Sequence, residues 1–275
     1  MRPAAYARSL LFVPGDRPDR FDKAAASGTD LVVLDLEDAV TPSNKSAALA
    51  NALAWLHRTG ADAAVRINGH DTTWHSAEID ALASTTATVM LPKAENPAAI
   101  AQMDDRLGGD RIIALIETAV GIRDVHAVCS APGVTRAALG TVDLAAELGV
   151  SPSSHAAFAY ARSALVVAAA AAGLPPPIDG VTTMLKDPLS LQQDLANASE
   201  LGFGAKLCVH PEQVSAVNKH FTPSTRDLEW ALRVASAARG ADAVAVVDGA
   251  MIDAPVVRRA ASIVHRSQMF DGTLD

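Results

Sequence analysis

Along the chain, short apolar runs alternate with longer stretches in which apolar residues recur every three or four positions. The short runs are LLFVP (10–14), LVVLDLE (31–37), AAVRIN (63–68), TVMLPK (88–93), RIIALIET (111–118), RAALGTVD (136–143), IDGVTT (178–183) and AKLCVHP (205–211), eight candidate strands in all. Between them lie helical patterns such as PDRFDKAAASG (18–28), NKSAALANALAWLHRTG (44–60) and LSLQQDLANASELGFG (189–204). Several close on glycine, as helix C-termini often do.

Strands alternating with helices predict a parallel sheet, and eight units are the number that closes a (β/α)8 TIM barrel. A doubly wound open sheet is the runner-up, but no G-x-G-x-x-G follows the first strand. The barrel is expected over residues 1–222, leaving a C-terminal helical extension over 223–275. That extension reads as a helix (225–240), a strand-like AVAVVDG (243–249) and a last helix from about Ala254. Leu228, Leu232 and Val234, with Trp230 between them, give the first of these helices an apolar face. Such a face must be buried, and a neighbouring subunit's rim in a closed oligomer would serve.

Composition narrows the class. The 275 residues are 49% hydrophobic and 20% charged, enough apolar material for a sizeable core and unlike a disordered chain. A net charge of −8 argues against a general nucleic-acid binder, which needs basic patches to displace phosphate counterions. Cys129 and Cys208 lie far apart without metal-ligand spacing, as expected of buried thiols in a reducing compartment. SALVVAAAAAGL (163–174) is too short to span a bilayer, and SLLFV near the N-terminus is shorter than a signal-peptide core. The expectation is a soluble cytoplasmic protein that binds neither membrane nor nucleic acid.

In a barrel of this kind, chemistry gathers at the C-terminal strand ends. Those ends offer Asp35, Glu37 and Asp38; Arg66 and Asn68; Lys93 and Glu95; Glu117 and Thr118; Asp143; and His210. A single charge there is usually a loop residue or a cap, but charges on six of eight strands are harder to explain so. Glu117 and Asp143 follow apolar strands, and paired carboxylates without cysteine or clustered histidine suit a hard cation, Mg2+ above all. Read blandly, Asp143 caps the next helix and Glu117 pairs with a neighbouring base. Arg66 can grip a substrate carboxylate bidentately, or serve the acids of the second strand, or both. Arg17, Arg20 and Lys23 form a local positive cluster, either a solvated helix start or an anchor for a phosphate-bearing ligand.

RSLLFVPGDRPDRFDKA, VVLDLEDAV, VRING, MLPKAE, ALIETAVG, GFGAKLCVHPEQV and DGAMIDAPVVRRA stand in this order from Arg8 to about Ala261. Together they resemble the citrate lyase β-subunit-like family of malyl-CoA, citramalyl-CoA and citryl-CoA lyases, within the HpcH/HpaI aldolase superfamily. The resemblance implies a TIM barrel, trimeric or hexameric, whose extension lies over a neighbouring subunit's site. It implies that Glu117 and Asp143 ligate Mg2+ (or Mn2+) and that Arg66 holds the substrate's oxo acid end. It places Phe12, Arg17 and Lys23 against coenzyme A, and makes Asp253 an acid for proton transfer; by its residues alone, Asp253 reads as an N-cap. Many relatives carry Glu before the strand 6 aspartate, where this chain has Val142, so the substrate pocket is expected to differ. Glu37 and Asp38 are expected at the mouth beside the metal, with His210 also facing substrate and Asp35 serving structure.

The implied activity is Mg2+-dependent cleavage, or the reverse condensation, of a 3-hydroxy-carboxyacyl-CoA into acetyl-CoA and a 2-oxo acid. The alternatives are an aldolase on free 2-oxo acids and a non-catalytic subunit that docks an acyl carrier protein.

Overall fold

Continuous apolar runs form strands that are buried on both faces. In Leu31–Asp35 every residue is buried: Leu31 and Val33 point into the barrel, while Val32 and Leu34 meet the surrounding helices. The computed structural model describes residues 4–185, 187–239 and 245–271.

Eight parallel strands close in sequence order: β1 (Ser9–Pro14), β2 (Leu31–Asp35), β3 (Ala63–Arg66), β4 (Thr88–Leu91), β5 (Ile112–Ile116), β6 (Val134–Leu139), β7 (Ile178–Asp179) and β8 (Ala205–Cys208). The TIM barrel is therefore as expected. The helices, in chain order, are α1 (Phe21–Ala25), α2 (Lys45–Thr59), α3 (His75–Leu82), α4 (Pro97–Leu107), α5 (Ala119–Arg123), α6 (Val125–Cys129), α7 (Thr141–Leu148), α8 (His155–Ala171), α9 (Pro188–Leu201) and α10 (Pro211–Phe221). Glycines in the left-handed conformation end α2 (Gly60) and α9 (Gly202). Leu10, Val33, Met90, Ile113, Leu115 and Leu207 are among the side chains that fill the barrel interior. At the N-terminal end, the Arg136 guanidinium donates to the carbonyls of Ala4 (3.0 Å), Ala7 (2.6 Å) and Pro176 (2.9 Å), which closes the floor.

The strands are shorter than their apolar patterns. β2 stops at Asp35, β4 at Leu91 and β8 at Cys208, so Glu37, Asp38, Lys93 and His210 stand on loops. β6 ends at Leu139, and Asp143 lies in the first turn of α7; the N-cap is Gly140, so Asp143 is neither a strand end nor the cap.

The chain divides into two compact units, Met1–Asn218 and Lys219–Asp275. The second comprises α11 (Thr225–Arg239), the antiparallel pair β9 (Ala245–Val247) and β10 (Ala250–Ile252), and α12 (Ala254–Asp271). Residues 243–244 of the strand-like stretch lie outside the described residues. The apolar face differs from the expected one. Ala231 and Val234 are buried with Ile252, Ala260 and Ile263, and Trp230 packs against them, whereas Leu232 is half exposed. The extension thus has a small core of its own. Among the described residues no helix is long and apolar enough to cross a membrane.

Candidate active site

The β2–β3 register sets Asp35 beside Arg66. Arg66 donates from Nε to Asp35 Oδ1 (2.8 Å) and from Nη2 to Asp35 Oδ2 (2.6 Å), a bidentate pair. The same carboxylate accepts the backbone N–H groups of Glu37 (2.9 Å) and Ala39 (3.2 Å), and so shapes the loop after β2. Arg66 Nη1 lies 3.1 Å from Glu37 Oε2 and 3.4 Å from Asp38 Oδ2, and the guanidinium carbon sits 4.8 Å from the Phe12 ring centroid. Burial opposes the arginine's charge, but Asp35, Glu37 and Asp38 outweigh it and raise the Arg66 pKa. The strongest partner of Arg66 is therefore Asp35, with Glu37 and Asp38 at longer range.

Lys93 links the two acidic groups. Its backbone adopts a left-handed φ of 48°, a strained conformation for a residue with a Cβ. That turn lets its N–H donate to Glu117 Oε1 (2.9 Å) while Nζ reaches Glu37 Oε1 (3.1 Å) and comes within 3.8 Å of Asp143 Oδ2. Glu117, 4% exposed, follows β5 and is pressed against Gly140; a Cβ at Gly140 would fall on the glutamate side chain. Gly140→Ala is therefore expected to displace the carboxylate and to destabilise the fold by about 1–3 kcal/mol, as overpacked sites do. Thermal melts read the second effect and magnesium titration the first; an unchanged affinity would show that Glu117 has other room.

Asp35, Glu37, Asp38, Glu117 and Asp143 are five carboxylates, against the two cations Arg66 and Lys93. The excess negative charge tells most on the buried members. Burial, then the charges of Glu37 and Asp143, push Glu117 up to about 8 despite Arg66 and the Lys93 N–H. Burial likewise raises Glu37, whose enclosed Oε2 is held by the Arg66 charge alone and makes no well-aligned hydrogen bond. The only hydrogen bond to Glu117 among the described residues is the one from Lys93 N–H. Oxygen-only donors with uncompensated charge fit a hard divalent cation. No group of three or more candidate ligands occurs among the described residues, so a cation here would lean on two carboxylates, water and substrate.

Asp35, Asp38, Arg66, Glu117 and Asp143, but not Glu37 or Lys93, line a cavity of about 410 Å³ that is apolar along Phe12, Leu115, Val181, Leu207 and Val209. Val142 stands at its edge, 46% exposed. The other expected contacts in the same unit do not line it. Arg17 pairs with Asp19 (3.0 Å) on an exposed turn, Lys23 is exposed on α1, and His210 accepts the Glu212 N–H (3.3 Å) through Nδ1. Asn68 turns away from the mouth toward Glu78. Asp253 belongs to the second unit, where its Oδ1 accepts the Val256 N–H (3.1 Å) at the start of α12. Lys45 and Glu78, both buried close behind the site, escaped sequence reasoning because single charges in helices usually face solvent.

Residues 8–211 match the HpcH/HpaI aldolase/citrate lyase family. The chain is 38% identical to a citrate lyase subunit beta-like protein of Mycobacterium tuberculosis, over 97% of this chain and 98% of that one. It is 31% identical to a (3S)-malyl-CoA thioesterase of Cereibacter sphaeroides (90% and 89% covered), and 30% identical to that organism's L-malyl-CoA/beta-methylmalyl-CoA lyase (97% and 96%). Among solved structures, the M. tuberculosis CitE protein in complex with magnesium, acetoacetate and coenzyme A matches with a TM-score of 0.80 at 36% identity, over 96% of this chain and 98% of that one. Fold and relatives define an enzyme of the carbon–carbon lyase class, within a group that acts on CoA esters. The chain belongs to the HpcH/HpaI aldolase/citrate lyase family.

Proposed function

We propose that the chain is a magnesium-dependent lyase acting on a 3-hydroxy-carboxyacyl-CoA such as malyl-, citramalyl- or citryl-CoA. It would split the substrate into acetyl-CoA and a 2-oxo acid, or join the two in reverse. The observation that carries this reading is the excess of carboxylates around one cavity, with Glu117 and Asp143 sharing it with Arg66. Magnesium held by Glu117 and Asp143 would supply a Lewis acid for the hydroxyl and carboxylate oxygens of the hydroxy acid, and Mn2+ could take its place.

The chain's own residues do the rest. Arg66 spends two donors on Asp35 and turns Nη1 toward Glu37 and Asp38, yet it lines the cavity, where its guanidinium can hold the substrate carboxylate and the oxyanion that develops on cleavage. Phe12 backs the guanidinium and keeps water from one of its faces. As the bond breaks, the hydroxyl gives its proton to solvent at the open mouth and becomes the oxo group. The electron pair is left on the carbon next to the thioester, and that enolate must take a proton to become acetyl-CoA. We assign the proton to the exposed carboxyl of Asp253, delivered from a second copy in a closed oligomer.

Arg17 and Lys23 are exposed cations at the α1 end and are assigned to the phosphates of coenzyme A. Removing both charges is expected to raise the thioester KM about two- to thirtyfold at low salt, since exposed charge contacts are worth about 0.2–1 kcal/mol each. The effect should fade at high salt, and an unchanged KM would favour an aldolase on free oxo acids.

The malyl-CoA thioesterase relatives favour a second reading, hydrolysis of the same substrate at its carbon–sulfur bond. A panel of malyl-, citramalyl- and citryl-CoA, assayed with and without Mg2+, separates the two. Magnesium-dependent release of a 2-oxo acid is the expected result. Release of free CoA with an intact hydroxy acid would assign hydrolysis instead.

A further inference from the structure

Behind the loop that carries Glu37 and Asp38 lies a run of buried polar groups with no part in the chemistry above. Lys45, 6% exposed, donates from Nζ to the carbonyls of Leu36 (2.7 Å) and Glu37 (2.6 Å). Asn68, 2% exposed, donates from Nδ2 to the same Leu36 carbonyl (3.0 Å) and to Glu78 Oε1 (2.6 Å). Its backbone N–H donates to Glu78 Oε2 (2.7 Å), and its own carbonyl meets His75 Nδ1 (2.8 Å). An ammonium and a carboxylate are thus joined through one peptide carbonyl and one amide.

Burying these charges is costly: the penalty is several kcal/mol for each ion before compensation. Helix stability gives no reason for it, because Lys45 is the first residue of α2, where the helix dipole disfavours a cation. What lies in front of the network does give a reason. The peptide clamped by Lys45 carries the Glu37 side chain, whose Oε1 meets Lys93 Nζ and whose Oε2 meets Arg66 Nη1, each at 3.1 Å. Lys93 in turn donates its N–H to Glu117. A shift of the Leu36–Glu37 backbone would therefore reach both Arg66 and Glu117.

We propose that Lys45, Asn68 and Glu78 form a positioning relay, which clamps the Leu36 and Glu37 carbonyls and so fixes the carboxylates that hold magnesium. The inference rests on the metal-dependent reading of the site. Such supporting contacts are typically worth about 10–100-fold in metal affinity or activity.

The test compares Lys45→Met, Lys45→Arg and Glu78→Gln with wild type, using calorimetric Mg2+ titration of the full-length protein and steady-state kinetics on the best thioester. Glu78→Gln is nearly isosteric but presents an amide nitrogen or a weaker acceptor to the Asn68 donors. Lys45→Met and Glu78→Gln are expected to weaken Mg2+ binding or lower kcat by about 10–100-fold, with the thioester KM within about threefold. Lys45→Arg should recover part of the loss, because it keeps donors for both carbonyls. Variants that melt earlier yet bind Mg2+ and turn over as wild type would reduce the network to a scaffold and overturn the relay. If Lys45→Met does not fold, wild-type Mg2+ affinity and kcat in Glu78→Gln would overturn it alone. A wild type that binds Mg2+ but cleaves no thioester refutes the assigned reaction, while the calorimetric affinities still decide the relay.

Discussion

Glu117→Gln and Asp143→Asn should each lower magnesium-dependent turnover by roughly 10²–10³-fold or more, the scale of losing a main electrostatic contact to the transition state. Folding should survive both changes. Glu117→Gln removes a carboxyl that burial and neighbouring acids already push up to about 8, so the neutral amide is a close mimic of its protonated form. This shift also sets a pH dependence. Between the ordinary carboxyl value of 4.5 and about 8, folded Glu117 keeps a proton that the unfolded chain has lost. The magnesium-free protein should therefore lose stability as pH rises through that window, and Mg2+ should restore it. Magnesium binding at pH 7 should release a proton and tighten as pH rises toward 8. Calorimetry in two buffers of different ionisation enthalpy reads the proton. In Glu117→Gln, both the proton release and the pH slope should disappear; thermal stabilisation by Mg2+ that survives both substitutions together would remove these residues from the metal site.

Mixing Asp253→Asn with Arg66→Lys subunits, after dissociation and reassembly, should restore part of the activity that each variant lacks alone. Lysine is the better partner variant than alanine, because Arg66→Ala would leave Asp35, 1% exposed, without its cation. Breaking a buried pair in that way costs about 3–5 kcal/mol. Arg66→Lys keeps the charge but loses the fork that grips a carboxylate, and kcat/KM should fall on the order of 10²-fold. Asp253 caps α12 by one hydrogen bond to Val256, and asparagine can accept that bond too, so Asp253→Asn should fold normally. Inactivity of the mixed oligomers would refute proton delivery between subunits.

The barrel was legible because its strands are buried on both faces, which writes apolar runs such as Ile112–Ile116 into the chain. Strand ends were less legible, since an apolar pattern does not say where pairing stops. RAALGTVD reads as one strand, yet extended Gly140 starts α7 and carries Asp143 onto a helix. Arg66 and Glu117 could be found because a charge closing an apolar strand at the barrel mouth stands out. Their supports could not be. Asn68 looks like one more polar strand end until its side chain is seen turned to Glu78, and Lys45 looks like a solvated helix residue until its ammonium is seen on two carbonyls. In the extension, Leu232 outweighs Ala231 on any hydropathy scale, but helix phase puts Ala231 and Val234 inward.

The most direct measurement identifies which bond breaks. Malyl-CoA incubated with the protein and Mg2+ in deuterated water, with the products followed by mass spectrometry, distinguishes the two chemistries. Cleavage through an enolate should yield glyoxylate together with acetyl-CoA bearing one deuterium on its methyl group. Malate and free CoA, with no deuterium on carbon and no oxo acid, would contradict the carbon–carbon lyase.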